Sequence, residues 1–156
     1  MNKVVGLGEI VISNDPSDNI KTFALSTCVG IIAYCAKKQI AGMIHIVLPE
    51  RPRNSETDTL PSYYASTGIP IFIQNLLNAG CKKGEISLKI YGGSKKKVKD
   101  HFNIGTRNLE SVEKLLSEIE FSYSLEDVGG SFCRTISIDV SNGKIKMEKL
   151  PIYYYE

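Results

Sequence analysis

The sequence predicts a mixed α/β (α+β) domain, rich in antiparallel strands, with two main helices. Short β-rich runs dominate both ends of the chain, and two longer segments carry apolar residues at helical spacing. Asn142-Gly143 lies between two alternating runs, which is the strongest short-range signal for a β-hairpin. The chain of 156 residues has the length of one typical domain and contains no internal repeat or composition break. We therefore expect a single domain over residues 1–156.

The first half of the chain predicts five strands and then a helix. A polar segment with two prolines, at residues 50–62, predicts a loop before that helix. Residues 63–78 carry apolar side chains at helical spacing, and Gly80 is a candidate C-cap. Pro70 predicts a kink or a later helix start, because proline disrupts a helix interior. The predicted strands are residues 4–7, 9–13, 21–25, 29–35 and 40–48.

The second half predicts a strand, a second helix and a closing hairpin. The strand covers residues 86–91 and ends at a Gly-Gly pair. Asn108 precedes an amphipathic pattern that extends to residue 119, so we expect this asparagine to be the N-cap of the helix. The hairpin strands are residues 132–140 and 144–150.

The charge and hydropathy of the chain exclude several function classes. A net charge of +2 is too small to indicate a nucleic-acid-binding protein. The one basic run, Lys95 with Lys96, Lys97 and Lys99, predicts a solvated loop or helix start. No apolar stretch approaches the roughly 20 residues that span a bilayer, and residues 1–13 lack the features of a signal peptide. We expect a cytoplasmic protein without membrane insertion.

Four cysteines, at positions 28, 35, 81 and 133, are irregularly spaced and form no CxxC pair. In a cytosolic chain this pattern predicts free thiols rather than disulfides. Only two histidines are present and they lie far apart, so no zinc site and no cofactor are expected. Most of these thiols are expected to act as small apolar side chains.

Cys28 and His45 form a candidate nucleophile and base. If residues 29–35 and 40–48 form a hairpin in which Ala36 pairs with Gln39, Cys28 lies opposite Val47, two residues from His45. A turn that differs by two residues places Cys28 directly opposite His45. Both registers put the two side chains on one face, because strand side chains alternate with period two. An adjacent imidazolium can lower a thiol pKa by several units. From spacing alone, both residues could equally be core residues that pack without any catalytic role.

Six short strings stand out along the chain. Two surround the candidate pair: TFALSTCVG at residues 22–30 and HIVLP at residues 45–49. The other four are GLGE at 6–9, IYGG at 90–93, FNIGTRN at 102–108, and EDVGG at 126–130 with Arg134 four residues later. In sequence and in order these strings resemble the chemoreceptor glutamine deamidase (CheD) family.

This resemblance implies a catalytic set of Cys28, His45 and Thr22. It implies an antiparallel-rich α/β sandwich related to papain-like and bacterial-toxin deamidases. The implied activity is that of a protein-glutamine glutaminase, a cysteine amidohydrolase that converts glutamine to glutamate and ammonia in methyl-accepting chemotaxis receptors. The implied partners are the cytoplasmic domains of these receptors and a CheC-type phosphatase.

The segment before Cys28 departs from the family pattern. The family often has glycines where this chain has Ala24 and Ser26, and a serine where it has Thr27. If the glycines serve a positive φ or a close approach of substrate, the pocket is expected to be narrower or the enzyme slower. Two other functions stay open: a regulatory binding module for the phosphatase, with weak or no deamidase activity, and a thiol peptidase or transglutaminase-like enzyme.

Overall fold

The structure is a computed structural model that describes residues 1–53, 60–95 and 102–152. Within these ranges the chain forms nine β-strands and two α-helices. The strands are β1 (Asn2–Val4), β2 (Ile10–Ser13), β3 (Asn19–Leu25), β4 (Val29–Cys35), β5 (Ile40–Ile46), β6 (Ser87–Gly92), β7 (Ser124–Val128), β8 (Phe132–Asp139) and β9 (Ile145–Pro151); the helices are α1 (Ala65–Asn78) and α2 (Ile104–Glu118).

The strands form two sheets. One has five strands in the order β2-β5-β4-β6-β7, and the other has four in the order β1-β3-β8-β9. The pairs β1–β3 and β6–β7 are parallel, and the other neighbouring pairs are antiparallel. The predicted fold class, an antiparallel-rich α/β sandwich with two main helices, is confirmed.

Two apolar layers hold the fold together. One lies between the helices and the five-stranded sheet and includes Phe72, Val112 and Ile44. The other lies between the two sheets and includes Met43 and Ile136. Strands β4 and β5 are covered on both faces, which explains their nearly continuous apolar sequence. A polar side chain on the inner face of β5 is therefore buried between the sheets.

Both predicted hairpins are present. Strands β4 and β5 pair from Cys35–Ile40 outward, across a 3₁₀ turn at Ala36–Lys38. This is the first of the two predicted registers. Strands β8 and β9 are antiparallel neighbours, and the Asn142 side chain accepts a hydrogen bond from the Lys144 N–H in the turn between them. The observed pairings agree with the short turns that the sequence predicted at these two places.

The strand predictions failed at two places. The first strand is Asn2–Val4, earlier than the predicted 4–7, because a turn begins at Gly6. There the Glu9 carboxylate accepts the Gly6 N–H at 2.7 Å, and the Glu9 N–H donates to the Gly6 carbonyl at 3.0 Å. Strand β7 was not predicted, because its sequence, SLEDV, is polar and mostly exposed and shows no apolar alternation.

The predicted start of the second helix is wrong. Helix α2 begins at Ile104, and Asn108 is a fully buried residue inside it rather than its N-cap. The first turn of α2 lies against the end of β6, where a Cβ on Gly105 would be 1.9 Å from the Ser94 carbonyl oxygen. Glycine at this position permits the contact. The Asn108 side chain bonds to two other segments instead of capping α2.

Helix α1 agrees better with its prediction. It begins at Ala65, ahead of Pro70, so the alternative of a later start is wrong. Gly80 follows the helix with φ +112, and its N–H bonds to the Leu77 carbonyl, which confirms the predicted C-terminal glycine. Six of the residues in the predicted loop 50–62, together with Lys96, Lys97 and Lys99 of the basic run, lie outside the described residues.

Candidate active site

Cys28 lies in a short connection that crosses from one sheet to the other, between β3 and β4. It is half-buried against the apolar layer between the sheets. Its carbonyl accepts the Gly93 N–H at 2.8 Å, and a Cβ on Gly92, whose φ is +106, would lie 2.2 Å from that carbonyl oxygen. Any other residue at position 92 would displace the backbone of Cys28. The Gly-Gly pair after β6 therefore supports the main chain of the candidate nucleophile.

A β-bulge in β3 aims the side chains that precede Cys28. The ladder between β3 and β8 shifts register between Thr22 and Leu25, and Ala24 has φ +58. Because of the extra residue, Thr22 and Leu25 are both buried, whereas Phe23 and Ala24 are exposed. The bulge thus turns Thr22 towards β5 and directs Leu25 into the core.

His45 is buried on β5 and bonded to Thr22. The Thr22 Oγ1 lies 2.7 Å from the His45 Nδ1, and the same hydroxyl donates to the Val5 carbonyl at 2.6 Å. A hydroxyl has one hydrogen, so Thr22 must accept the bond from Nδ1–H. This assigns the neutral tautomer with a free lone pair on Nε2. Among the described residues, Nε2 is buried and has no hydrogen-bond partner.

The hairpin places Cys28 and His45 on the same face of the five-stranded sheet, between the two sheets. The β4–β5 ladder pairs Gly30 with His45 and Val29 with Ile46, so Cys28 lies one residue beyond, in line with the residue after Ile46. Gly30 has no side chain, and a Cβ there would be 2.9 Å from Leu25 Cδ1. The structure therefore brings Thr22 and His45 into contact, and Cys28 lies two residues before Gly30, the ladder partner of His45. Nε2 makes no hydrogen bond to the thiol within the described part of the chain.

Burial keeps both groups neutral near pH 7. Desolvation is the main cause that raises the pKa of the Cys28 thiol from 9.0 to about 11, with a smaller contribution from the Cys133 thiol. Desolvation also lowers the pKa of His45 from 6.5 to about 4. The sequence suggested an imidazolium that lowers the pKa of the thiol. In the structure, burial instead favours the neutral form of both groups. A neutral imidazole beside a neutral thiol can instead accept the proton as the sulfur attacks.

Comparisons with known proteins identify relatives of this chain. The family model described as CheD chemotactic sensory transduction matches residues 47–149. A protein of Syntrophotalea carbinolica named a probable chemoreceptor glutamine deamidase CheD is 33% identical over 148 residues, which are 92% of this chain and 91% of the relative. The chemoreceptor glutamine deamidase CheD of Bacillus subtilis is 34% identical over 139 residues, 86% of this chain and 83% of the relative.

The chain belongs to the CheD family. The resemblance inferred from the short strings is thereby confirmed. A probable chemoreceptor glutamine deamidase CheD of Pyrococcus abyssi is 32% identical over 149 residues, 94% of this chain and 90% of the relative. The family match begins two residues after His45, and it includes the strings at 102–108 and 126–130.

The CheD strings after residue 90 contain a buried polar network to which sequence reasoning assigned no role. Arg134 is only 1% exposed and donates from Nε to Asp127 at 2.8 Å, from Nη1 to the Ser94 hydroxyl at 2.9 Å, and from Nη2 to the Gly129 carbonyl at 2.8 Å. The Ser94 N–H donates to the Ser26 carbonyl at 2.7 Å. The network therefore connects the Asp-x-Gly-Gly string to the loop that carries Cys28. The only signal available in the sequence was the position of Arg134, seven residues after Asp127.

Asn108 is the second residue whose role the sequence did not show. Its Nδ2 donates to the Thr27 carbonyl and to the Val47 carbonyl, both at 2.9 Å. These carbonyls lie next to Cys28 and two residues after His45. The pattern around Asn108 predicted only a helix cap, because no periodicity in a single sequence indicates a bond to a distant segment.

Other features bear on the chemistry that this CheD-family chain can perform. All four cysteines are free thiols, as their spacing predicted. In the described ranges, no group of three or more His, Cys, Asp or Glu side chains is placed to hold a metal ion. No helix in those ranges combines the length and apolar character needed to cross a membrane.

Proposed function

We propose that this CheD-family protein is a cytoplasmic deamidase that hydrolyses glutamine side chains of methyl-accepting chemotaxis receptors to glutamate and ammonia. In this proposal Cys28 is the nucleophile, His45 is the general base and acid, and Thr22 orients His45. The observation that supports it most strongly is the Thr22–His45 hydrogen bond of 2.7 Å, which leaves the Nε2 lone pair free on the face shared with Cys28. The relatives named as chemoreceptor glutamine deamidases supply the substrate class.

The first half of the reaction forms a thioester. The Cys28 sulfur attacks the carboxamide carbon of glutamine while its proton passes to His45 Nε2. The resulting tetrahedral intermediate carries an oxyanion. His45 then returns the proton to the amide nitrogen, the C–N bond breaks, and ammonia leaves. Thr22 holds the ring throughout by accepting the Nδ1–H bond, and as a neutral residue it stabilises the imidazolium less than a carboxylate would.

The second half regenerates the thiol. Water attacks the thioester carbon while His45 Nε2 accepts one of its protons. The C–S bond breaks, the proton returns to sulfur, and glutamate is released. No charged pair is needed at rest, which agrees with the raised pKa of Cys28 and the lowered pKa of His45.

The loop around Cys28 is suited to hold an oxyanion. Three successive carbonyls are each bonded to another segment: that of Ser26 to the Ser94 N–H at 2.7 Å, that of Thr27 to Asn108 at 2.9 Å, and that of Cys28 to the Gly93 N–H at 2.8 Å. In a planar trans peptide the N–H points away from the carbonyl. The N–H groups of Thr27 and Cys28 are therefore turned away from these anchors, and we propose them as oxyanion donors.

The test is conversion of a receptor cytoplasmic fragment, followed by mass-spectrometric mapping of each glutamine that becomes glutamate. The unmodified protein should convert specific glutamines, and Cys28→Ala should convert none. Cys133→Ala is the matched control because both cysteines are half-buried free thiols; it should retain activity. Full activity of Cys28→Ala would refute the proposal.

Two other outcomes distinguish the remaining functions. Tight binding to a CheC-type phosphatase without any glutamine conversion would favour the regulatory module. Cleavage of the receptor backbone would favour a thiol peptidase.

A further inference from the structure

Asn108 occupies an unusual place for an asparagine. It is fully buried inside α2, where asparagine is a weak helix former because its side chain competes for nearby backbone groups. Here the side chain bonds to no backbone group of its own helix. Both hydrogens of Nδ2 are used, one for the Thr27 carbonyl and one for the Val47 carbonyl, each at 2.9 Å.

The orientation of the Asn108 amide follows from these partners. Two carbonyl oxygens accept hydrogen bonds only, so the amide nitrogen must face them and Oδ1 must point elsewhere. Oδ1 is buried without a hydrogen-bond partner among the described residues. An unpaired buried acceptor lowers stability. Stability alone therefore does not explain this asparagine.

Each bonded carbonyl belongs to a segment that carries a candidate catalytic group. The Thr27 carbonyl and the Cys28 N–H are parts of one planar peptide, so the bond from Asn108 fixes the direction of that N–H. The Val47 carbonyl lies at the end of the segment that carries His45. One side chain thus connects the loop of the nucleophile to the strand of the base.

The neighbouring anchors of this loop do not depend on side chains. The carbonyls of Ser26 and Cys28 are held by the backbone N–H groups of Ser94 and Gly93. Asn108 supplies the one anchor of these three that comes from a side chain, so a substitution can remove it without altering the backbone. Its removal would free the central peptide of the loop while the two flanking peptides stay attached.

We infer that Asn108 is a positioning residue for deamidation: it holds the Thr27–Cys28 peptide so that the Cys28 N–H faces the oxyanion, and it fixes Cys28 relative to His45. This inference rests on the proposed function. Asn108 acts through the backbone and does not itself contact the substrate. Its loss should therefore lower kcat and leave KM nearly unchanged, since the oxyanion forms only after substrate has bound.

The test compares Asn108→Ala with Val112→Ala, a substitution at an equally buried residue one turn further along the same helix that packs in the helix–sheet layer. Active protein is counted by alkylation of Cys28 with iodoacetamide, a displacement that needs no oxyanion donor. When the rate is divided by the number of Cys28 sites counted in this way, kcat of Asn108→Ala should fall about 10- to 100-fold, with KM within about threefold of that of the unmodified protein. Val112→Ala should lose stability and keep its kcat per site.

Three results separate the inference from a merely structural role and from the proposed function. Equal kcat per site in Asn108→Ala and the unmodified protein would overturn the inference and leave the role of Cys28 intact. Activity that survives Cys28→Ala would overturn the proposed function itself. If Asn108→Ala does not fold, the second variant is Asn108→Ser, whose hydroxyl donates one hydrogen bond instead of two. Its kcat per site should be lower than that of the unmodified protein, and an unchanged value would again overturn the inference.

Discussion

Replacing Ala24 by glycine should stabilise the protein, although glycine usually destabilises a strand. Ala24 is the bulge residue of β3 with φ +58, a left-handed conformation in which an L-residue with a Cβ is disfavoured by about 1 to 2 kcal/mol. Its side chain is exposed, so removal of the methyl group forfeits little packing. Against this relief, glycine adds about 0.4 to 1 kcal/mol of conformational entropy to the unfolded chain. The net expectation is a gain of about 0.5 to 1 kcal/mol in the free energy of unfolding.

The assay is thermal and urea unfolding at neutral pH. For a chain of this size the gain corresponds to a rise in Tm of about 1 to 4 °C. Ala79→Gly is the matched control, because Ala79 is also exposed but has φ −73, where alanine is not strained. This control should lose about 0.4 to 1 kcal/mol, because glycine adds conformational entropy to the unfolded chain and relieves no strain at this position. The two substitutions are thus expected to have opposite signs.

A loss of stability in Ala24→Gly as large as that in Ala79→Gly would refute the reasoning about the bulge. The deamidation rate of Ala24→Gly also tests the expectation that alanine at this position slows the enzyme. A rate unchanged from that of the unmodified protein would show that the left-handed residue affects folding and not the pocket.

Two further predictions concern the histidine. Thr22→Val removes the hydroxyl that accepts from His45 Nδ1 and donates to the Val5 carbonyl, so two buried groups lose their partner. We expect the free energy of unfolding of Thr22→Val to fall by about 2 kcal/mol or more and its kcat to fall about 10- to 100-fold. The control, Thr22→Ser, should stay close to the unmodified protein in both quantities. Equal kcat values for the two variants would contradict the orienting role of Thr22. The pKa of His45 is lowered from 6.5 to about 4, so the neutral imidazole favours the folded state. This contribution is fully present above pH 6.5 and is lost as the pH falls through 4, and it amounts to about 3 kcal/mol. Urea unfolding between pH 7 and 4 should show that the free energy of unfolding falls less for His45→Gln than for the unmodified protein. An equal fall in both proteins would assign the acid sensitivity to other groups.

The shared face of Cys28 and His45 could be predicted from the sequence around the hairpin. The polar turn at residues 36–39 is short enough to predict a hairpin, and both registers left open by the sequence put Cys28 and His45 on one face. The structure decides between them, because Cys35 pairs with Ile40. Short strings sufficed to recognise the family, since each string is contiguous. By contrast, the N-cap prediction at Asn108 failed, because tertiary contacts of that side chain outweighed a helix-end preference.

The sequence by itself determined the α/β class, the two hairpins, the shared face of Cys28 and His45, and the CheD family, because each depends on neighbours along the chain. Only the tertiary structure decided what surrounds that pair. Thr22 meets His45 because a bulged strand of the second sheet packs over the first, and Asn108 and Arg134 reach the Cys28 loop from segments far away in sequence. The neutral state of the thiol and imidazole likewise follows from burial between two sheets. Burial is a property of packing, which no local pattern specifies.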